Sequence, residues 1–438
     1  NIDASLWRET WESTTVTFNG QTYSGYKPSG MLSNPDLKWE TTISRNIGLD
    51  FGFFNNRLSG TIDAYWNTTK DLLMCIPIDE TTGYSYQYQN IGQTSNKGIE
   101  IALNYDILRT KDFTLGVSAT YNYNHNNIDE LADNIIAQYG SQWASSATTP
   151  TYDYEFREGK PVGLIRGYIC DGYYTTADFN YDPATKTYTL KPGVADLGNQ
   201  VGNYPSHYNL PEGQKAFPGA VKLRDLDGNG VADTEDVADL GEITHPHTGG
   251  FNLNMTWKDI DFSAGFAWAA GGHVYNVNSL INMYGNKDTG AGANKLEFIS
   301  DCYQIYDIQN GELVPVVEPD ALDALNTGAK YGVPYMENGT VLSTFVEDAS
   351  FLRLNTLTVG YTFPKAWTKK IGMQRARVYA TAGNLFTITG YSGIDPEVNA
   401  DPNKSTTAAN TGNYPLLGMD YGTYPRARTF TFGVNITF

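Results

Sequence analysis

The chain has 438 residues, with 48 Asp+Glu against 30 Lys+Arg and a formal net charge of −18. An acidic surplus of that size disfavours a nucleic-acid partner, whose phosphates need clustered basic side chains, while 18% charged and 13% aromatic residues exclude intrinsic disorder. No run of about 18 apolar residues occurs, which removes a transmembrane helix but leaves a membrane β-barrel open, because barrel strands alternate and average out as polar.

A mean hydropathy of −0.39 is therefore no sign of a soluble protein. Length alone suggests two or three soluble domains of roughly 100 to 200 residues each. Asn1 opens the sequence without a Met, a basic stretch or an apolar stretch, so the chain reads as a fragment with no visible signal peptide. Cys75, Cys170 and Cys302 are odd in number and widely spaced, which outlines no disulfide framework.

Period-2 alternation predicts strands over about 41–53 and 58–68, joined by the short link Asn55-Asn56-Arg57. A long connection over about 71–96 follows, where Tyr84, Tyr86 and Tyr88 alternate and so project to one side. Ile99, Ile101, Leu103, Tyr105 and Ile107 then interleave with Gly98, Glu100, Ala102, Asn104 and Asp106. Past a turn over 109–112, Phe113, Leu115, Val117, Ala119, Tyr121 and Tyr123 interleave with Thr114, Gly116, Ser118, Thr120, Asn122 and Asn124. A connection over about 126–248 carries Tyr152, Tyr154, Tyr173 and Tyr174.

Strands over about 249–257 and 260–270 flank Lys258-Asp259, and a further connection runs over about 271–348. The next pair, about 349–363 and 375–389, is joined by 364–374. In the first of these the apolar phase slips from Leu352 and Leu354 to Leu357, Val359, Tyr361 and Phe363, which predicts a β-bulge. After a connection over about 390–425, Phe430, Phe432, Val434, Ile436 and Phe438 alternate with Thr429, Thr431, Gly433, Asn435 and Thr437.

About nine strands of roughly ten residues have the length that crosses a bilayer when tilted. Their links alternate between short and very long, as in outer-membrane barrels with short periplasmic turns and long extracellular loops. Rings at Phe51, Phe53, Trp66, Tyr121, Tyr123, Trp257, Trp268, Tyr361 and Phe363 fall near strand ends, where interfacial girdles sit. The fold class expected is all-β, a transmembrane antiparallel β-barrel with long extracellular loops. The alternative is a soluble sandwich or propeller, with the same rings as its core and Glu100, Asn104 and Asp106 facing water.

The sharpest local motif lies in the longest connection, from Asp225 through Asp227, Asn229, Gly230, Val231 and Asp233 to Asp236. Oxygen-bearing residues occupy positions 1, 3, 5, 9 and 12 of an EF-type loop, with Gly at 6 and the Val231 carbonyl at 7, so structural calcium is expected there. Asp in place of Glu at the last position shortens the bidentate reach and favours weaker or magnesium-tolerant binding; the competing reading is a solvated acidic turn. His245-Pro-His247 reads as turn histidines without a metal-site partner. No GxSxG, Walker or HExxH pattern is present, so no enzyme is expected. Tyr84, Tyr86, Tyr88, Tyr152 and Tyr154 are the candidates for substrate contact, since rings with polar tips stack on sugar faces and also contact peptides; packing between loops competes with that reading.

A set of short motifs resembles the SusC/RagA-type TonB-dependent transporters of the Bacteroidetes outer membrane. They are Asn34-Pro-Asp-Leu-Lys-Trp-Glu40, Asp63-Ala-Tyr65 with Thr68 and Asp71-Leu72, Asn90-Ile-Gly92 with Asn96-Lys-Gly-Ile-Glu100, and Glu158-Gly-Lys-Pro-Val-Gly163 with Gly167-Tyr168 and Asp171-Gly-Tyr173. Later come Ala349-Ser-Phe-Leu-Arg-Leu354, Val359-Gly-Tyr-Thr-Phe-Pro364, Gly383-Asn-Leu-Phe386 and Tyr424-Pro-Arg-Ala-Arg-Thr-Phe430 through Phe438. The resemblance implies that residues 1–438 are the C-terminal portion of a 22-stranded barrel, with the plug domain and TonB box outside this chain. It also implies TonB acting through that plug, the remaining N-terminal barrel strands to close the wall, and a SusD-like surface lipoprotein over the pore. The activity expected is nutrient import, of oligosaccharide because charge near the loop rings is low, with peptide import or a soluble carbohydrate-binding protein as alternatives.

Overall fold

A computed structural model of the chain describes residue 6 and residues 8–131, 137–139, 154–202, 206–283, 296–336, 340–398, 418–420 and 423–438. Nine strands form one sheet: β1 (Thr41–Phe53), β2 (Leu58–Lys70), β3 (Gln93–Arg109), β4 (Phe113–Glu130), β5 (His247–Trp257), β6 (Ile260–Ala270), β7 (Phe351–Thr362), β8 (Arg375–Thr389) and β9 (Thr429–Thr437). Each pairs antiparallel with its neighbour in sequence, so spatial order follows chain order. Among the described residues β1 and β9 have one neighbour each, which leaves the sheet open along both edges.

The alternation separates an apolar from a polar face along the register, with Arg45 and Lys97 falling on the apolar side only beside Trp66, beyond the level of Tyr121. Ile62 lies opposite Ile101 and Leu49, Leu103 opposite Ala119, Val117 opposite Leu253, and Val434 opposite Val378. Among the described residues no second sheet covers this face: Ile47, Leu49, Trp257, Phe430, Phe432 and Val434 are all exposed, Phe432 by 81%. A sandwich would bury these side chains, so the soluble alternative fails on the observation that defines it. Cross-strand partners also set the height of the ring rows. Phe113, Trp257, Ile260 and Tyr361 share one level, and Tyr121, Gly249, Trp268 and Leu352 share another eight positions along. At about 3.4 Å per residue the rows lie roughly 27 Å apart along the strands, or roughly 20 Å along the membrane normal at a tilt of about 40°.

The phase slip in β7 is a bulge at Asn355. Gly265 lies opposite Thr356 and Phe266 opposite Leu354, so one extra residue is absorbed and Leu352, Leu354, Leu357 and Val359 all stay on the apolar face. Arg353 is thereby turned to the polar side, where it is 2% exposed and bonds Asp395 at 2.6 Å, Glu397 at 2.7 Å and the Thr387 hydroxyl at 3.0 Å. Arg426 closes the knot on Glu397 at 3.3 Å. This set ties the connection after β8 to the wall.

The main hydrophobic core lies in the connections, not in the wall. Ile165, Tyr168, Tyr174, Tyr188, Leu197, Phe217, Tyr275, Met283, Leu322, Leu342 and Met419 are buried together. Three separate connections therefore fold into one body. Tyr174 donates to the Ala195 carbonyl at 2.7 Å and Tyr188 to that of Val317 at 2.6 Å, which gives these two buried phenols an acceptor. Burial pushes the Cys302 thiol up to about 11, so it packs as a small apolar group. On the rim of this body Arg157, Lys160 and Arg166 converge on Asp239 at 2.9, 2.8 and 2.5 Å. Partial burial opposes ionisation of Asp239, yet the hydrogen bonds and charges of these cations win and hold its carboxyl at about 2.

Two outcomes are expected. Leu253→Arg, midway along β5 on the apolar face, destabilises the barrel by about 2–4 kcal/mol in lipid-vesicle urea titrations. The neighbouring Asn254→Arg, on the opposite face, has a much smaller effect in the same titrations. Because the folded pKa of Asp239 lies below its ordinary value, the stability it contributes is complete above about pH 4 and lost as pH falls towards 2. Asp239→Asn should flatten that acid limb in thermal melts.

Candidate functional site

The polar face of the wall and the underside of the loop body flank an open cavity of about 920 Å³, lined among others by Asn46, Tyr65, Asn67, Asn96, Glu100, Asn122, Asn124, His245, His273, Glu397 and Arg426. Period-2 geometry places the amides: Asn122, Asn124 and Asn126 point the same way from β4, towards Asn96 on β3 and Thr248 on β5. Asn124 and Asn126 donate to Asn96 Oδ1 at 3.3 and 3.0 Å, and Tyr65 donates to Asn124 Oδ1 at 2.9 Å. Asn122 donates to Thr248 at 3.4 Å, while its own Oδ1 is shielded and accepts no hydrogen bond among the described residues. The amide row thus presents neutral donors and acceptors, with Glu100, Glu397 and Arg426 elsewhere in the same lining, a set suited to a polar ligand rich in hydroxyls or amides.

Above it, Tyr391 donates to Asp420 at 2.6 Å, and burial together with that carboxylate pushes the phenol well above its usual range. His245 and His247 part company, as alternation requires: His245 meets the Ala349 carbonyl at 3.1 Å beside the cavity, and His247 meets the Tyr121 hydroxyl at 2.9 Å on the opposite face. They share no ligand position.

Tyr84, Tyr86 and Tyr88 are half-buried, and the last two lie on the strand Tyr86–Asn90 with rings edge to face at 6.2 Å. Their segment packs against the beginning of the chain, with Tyr84 donating to Glu9 at 3.4 Å and Asn34 donating to the Tyr88 carbonyl at 2.9 Å. They do not line the 920 Å³ cavity. Tyr152 and the Tyr154 side chain lie outside the described residues. Tyr173 and Tyr174 belong to the loop core, Tyr173 donating to the Ala329 carbonyl at 2.9 Å.

In the acidic loop, Asp225, Asp227 and Asp236 each bring one carboxylate oxygen within 4.8 Å of the others, a spacing that suits a single cation. Asp236 is fully buried and accepts the Leu226 and Asp233 amides at 2.6 and 2.8 Å, which fixes the loop's closing end. Hydrogen bonds from the Gly230 and Gly228 amides hold the Asp225 carboxyl below its usual range. Gly228 and Gly230 have φ of +78° and +92°, values that explain glycine at those two turns. Asn229 donates to both Asp227 and Asp233 at 3.0 Å, and Val231 bridges to Asp196 in the loop core.

The cavity residues that sequence reading passed over are the amide row and the knot around Arg353. The first was visible as Asn-Tyr-Asn-His-Asn over 122–126, three amides on one face of a strand. The second joins residues far apart in sequence, Arg353, Asp395 and Arg426, and left no local signal.

Residues 10–209 match the family described as TonB dependent receptor-like, beta-barrel. The chain is similar to TonB-dependent receptor P3 of Formosa agariphila, 31% identical over 93% of this chain and 35% of that protein. It is 29% identical to TonB-dependent receptor SusC of Bacteroides thetaiotaomicron, over 96% of this chain and 34% of the relative. A solved structure of the RagAB peptide transporter superposes with a TM-score of 0.65 at 24% identity, covering 99% of this chain and 39% of that one. The chain spans about a third of the length of the curated relatives it matches. An open wall with its apolar face outward, two ring rows at membrane spacing and these likenesses identify the chain as a SusC/RagA-like segment of a TonB-dependent receptor β-barrel in the outer membrane.

Proposed function

We propose that the chain forms part of the barrel wall and the vestibule of an active importer of neutral, polar nutrients, oligosaccharides first among them. The amide row beneath the loop body carries this reading: neutral hydrogen-bonding groups at strand spacing favour a hydroxyl-rich chain over a charged solute. Peptide import is the second reading, because peptide groups satisfy the same amides and a peptide transporter shares the fold. Tyr84, Tyr86, Tyr88, Tyr152 and Tyr154 stand as loop positions for substrate or partner contact. The two open edges call for further strands on either side, here the remaining N-terminal strands of the barrel. Energy enters through TonB acting on an N-terminal plug outside this chain, and a SusD-like lipoprotein covers the loop body from outside the cell.

Calcium is assigned to Asp225, Asp227, Asn229, Val231, Asp233 and Asp236 as a structural ion that pins the loop to the core. The convergence of Asp225, Asp227 and fully buried Asp236 supports it, and the tie from Val231 to Asp196 gives it something to pin.

Uptake of labelled oligosaccharide by cells bearing the complete receptor should fall at least ten-fold when the region preceding this chain is deleted. Asn124→Leu should weaken uptake several-fold by removing the centre of the amide row; selective loss of labelled peptide uptake instead would favour the second reading. Calcium titration of the apo protein should raise Tm and slow protease cleavage within 225–236, and Asp227→Ala should abolish both effects. An unchanged melt and cleavage pattern would remove calcium from the account.

A further inference from the structure

The turn between β7 and β8 differs from the other short turns in both shape and charge. It folds into a helical turn over Lys365–Thr368 continued by a 3-10 turn over Lys369–Ile371, closed by Gly372 at φ +74°. Between Pro364 and Arg377 the sequence contains Lys365, Lys369, Lys370, Arg375 and Arg377 and no acidic residue, within a chain whose net charge is −18. Arg375 and Arg377 line the polar interior of the wall, where Arg377 pairs with Asp261. Lys365, Lys369 and Lys370 are exposed, and among the described residues no carboxylate pairs with them.

Trp367 stands between these lysines and Ile371 directly after them, two large apolar side chains four positions apart and so on one side of a helical turn. Trp367 is 60% exposed and Ile371 67%. Thr368 is buried at the back of the turn, and Met373 donates to its carbonyl at 3.0 Å, so the turn is fixed to the wall with these residues outward. Immediately above lies the lower ring row: Tyr361 and Phe363 meet edge to face at 5.3 Å, and Trp257 carries Lys258 over its ring at 5.9 Å. Trp367 follows Phe363 by four residues, so the exposed apolar side chains of the turn come directly after the end of that row in the chain.

We infer that this turn is an anionic-phospholipid site, with Trp367 and Ile371 set into the interface of the periplasmic leaflet and Lys365, Lys369 and Lys370 gathered on the phosphates of acidic headgroups. Trp favours headgroup depth because its ring is apolar and its N–H polar, and lysines beside an anionic surface add attraction that zwitterionic lipid does not supply. The other turns lack this combination: the turn between β1 and β2 exposes Phe54 but has one cation, Arg57, bonded to the Asp106 and Ile107 carbonyls, Lys111 lies between Asp106 and Asp112, and Lys258 beside Asp259 and Asp261. The inference concerns the membrane face of the wall and is independent of which solute passes through it.

The test uses the complete receptor, purified in dodecyl maltoside and supplied with equimolar phosphatidylglycerol and phosphatidylcholine. Lipid retained is counted by native mass spectrometry. The wild type should retain phosphatidylglycerol in preference, and Lys365→Gln/Lys369→Gln/Lys370→Gln should reduce that preference by roughly a hundred-fold, the scale set by three lysines near an anionic surface. Lys111→Gln should leave it unchanged. A second reading places a bimane on Trp367→Cys in phosphatidylglycerol vesicles, where headgroup-level nitroxide lipid should quench it more than aqueous iodide. Heat-modifiable migration verifies folding of each variant, and should the triple variant fail to fold, Lys370→Gln and the bimane measurement decide. No preference in the wild type, an unchanged preference in the folded lysine variants, or dominant iodide quenching would overturn the inference, as would bimane protection that requires an added periplasmic protein.

Discussion

Peptide groups in hydrocarbon have nothing to bond but one another, and that constraint organises the whole chain. It demands an uninterrupted antiparallel ladder, and an antiparallel ladder with one face in lipid demands strict alternation. The nine strands satisfy both, each hydrogen-bonded to its neighbours in sequence. Where the sequence gains a residue, at Asn355, the ladder shifts once and resumes so that no leucine of β7 turns inward. The same shift delivers Arg353 to the polar side, where a guanidinium finds carboxylates instead of acyl chains. A single inserted residue therefore preserves the lipid face and creates the anchor of the last connection.

Because lipid takes the place of a core for the wall, the apolar interior of the molecule is assembled elsewhere. Its tyrosines, leucines and methionines come from the connections, which pack on one another above the sheet. This inverts the usual arrangement in which loops decorate a packed scaffold. The wall holds the loop body in place, and the loop body roofs the polar cavity.

How far the sequence revealed this depended on the range of the interaction concerned. Alternation is local, so the strands, their order and the bulge between Leu354 and Leu357 could be read from neighbouring residues alone. The spacing of Phe113 and Tyr121 likewise carried the ring rows. The loop body could not be read in that way: nothing local distinguishes Tyr173 and Tyr174 from the other tyrosines of their connection, and only contacts with Ala329 and Ala195 make them core. The knot of Arg353, Asp395, Glu397 and Arg426 is equally nonlocal. The acidic stretch from Asp225 is intermediate, since its spacing is written locally while the burial of Asp236 depends on the rest of the body.

The joining of distant connections has a consequence for how the molecule is made. Met419, from the last connection, is fully buried with Ile165, from an early one, and the backbone of Tyr275 is bonded on both sides, to Gly418 and Asp420. On the topology proposed above, with these connections outside the cell, they arrive from the opposite side of the bilayer, and a body with a packed interior cannot traverse hydrocarbon whole. The connections must cross as extended chain and condense afterwards, and contacts so distant in sequence form slowly. The last long connection is thus the keystone of assembly: until it arrives outside, a large apolar interior stands incomplete in water, and the nascent wall is at its most prone to misassociation.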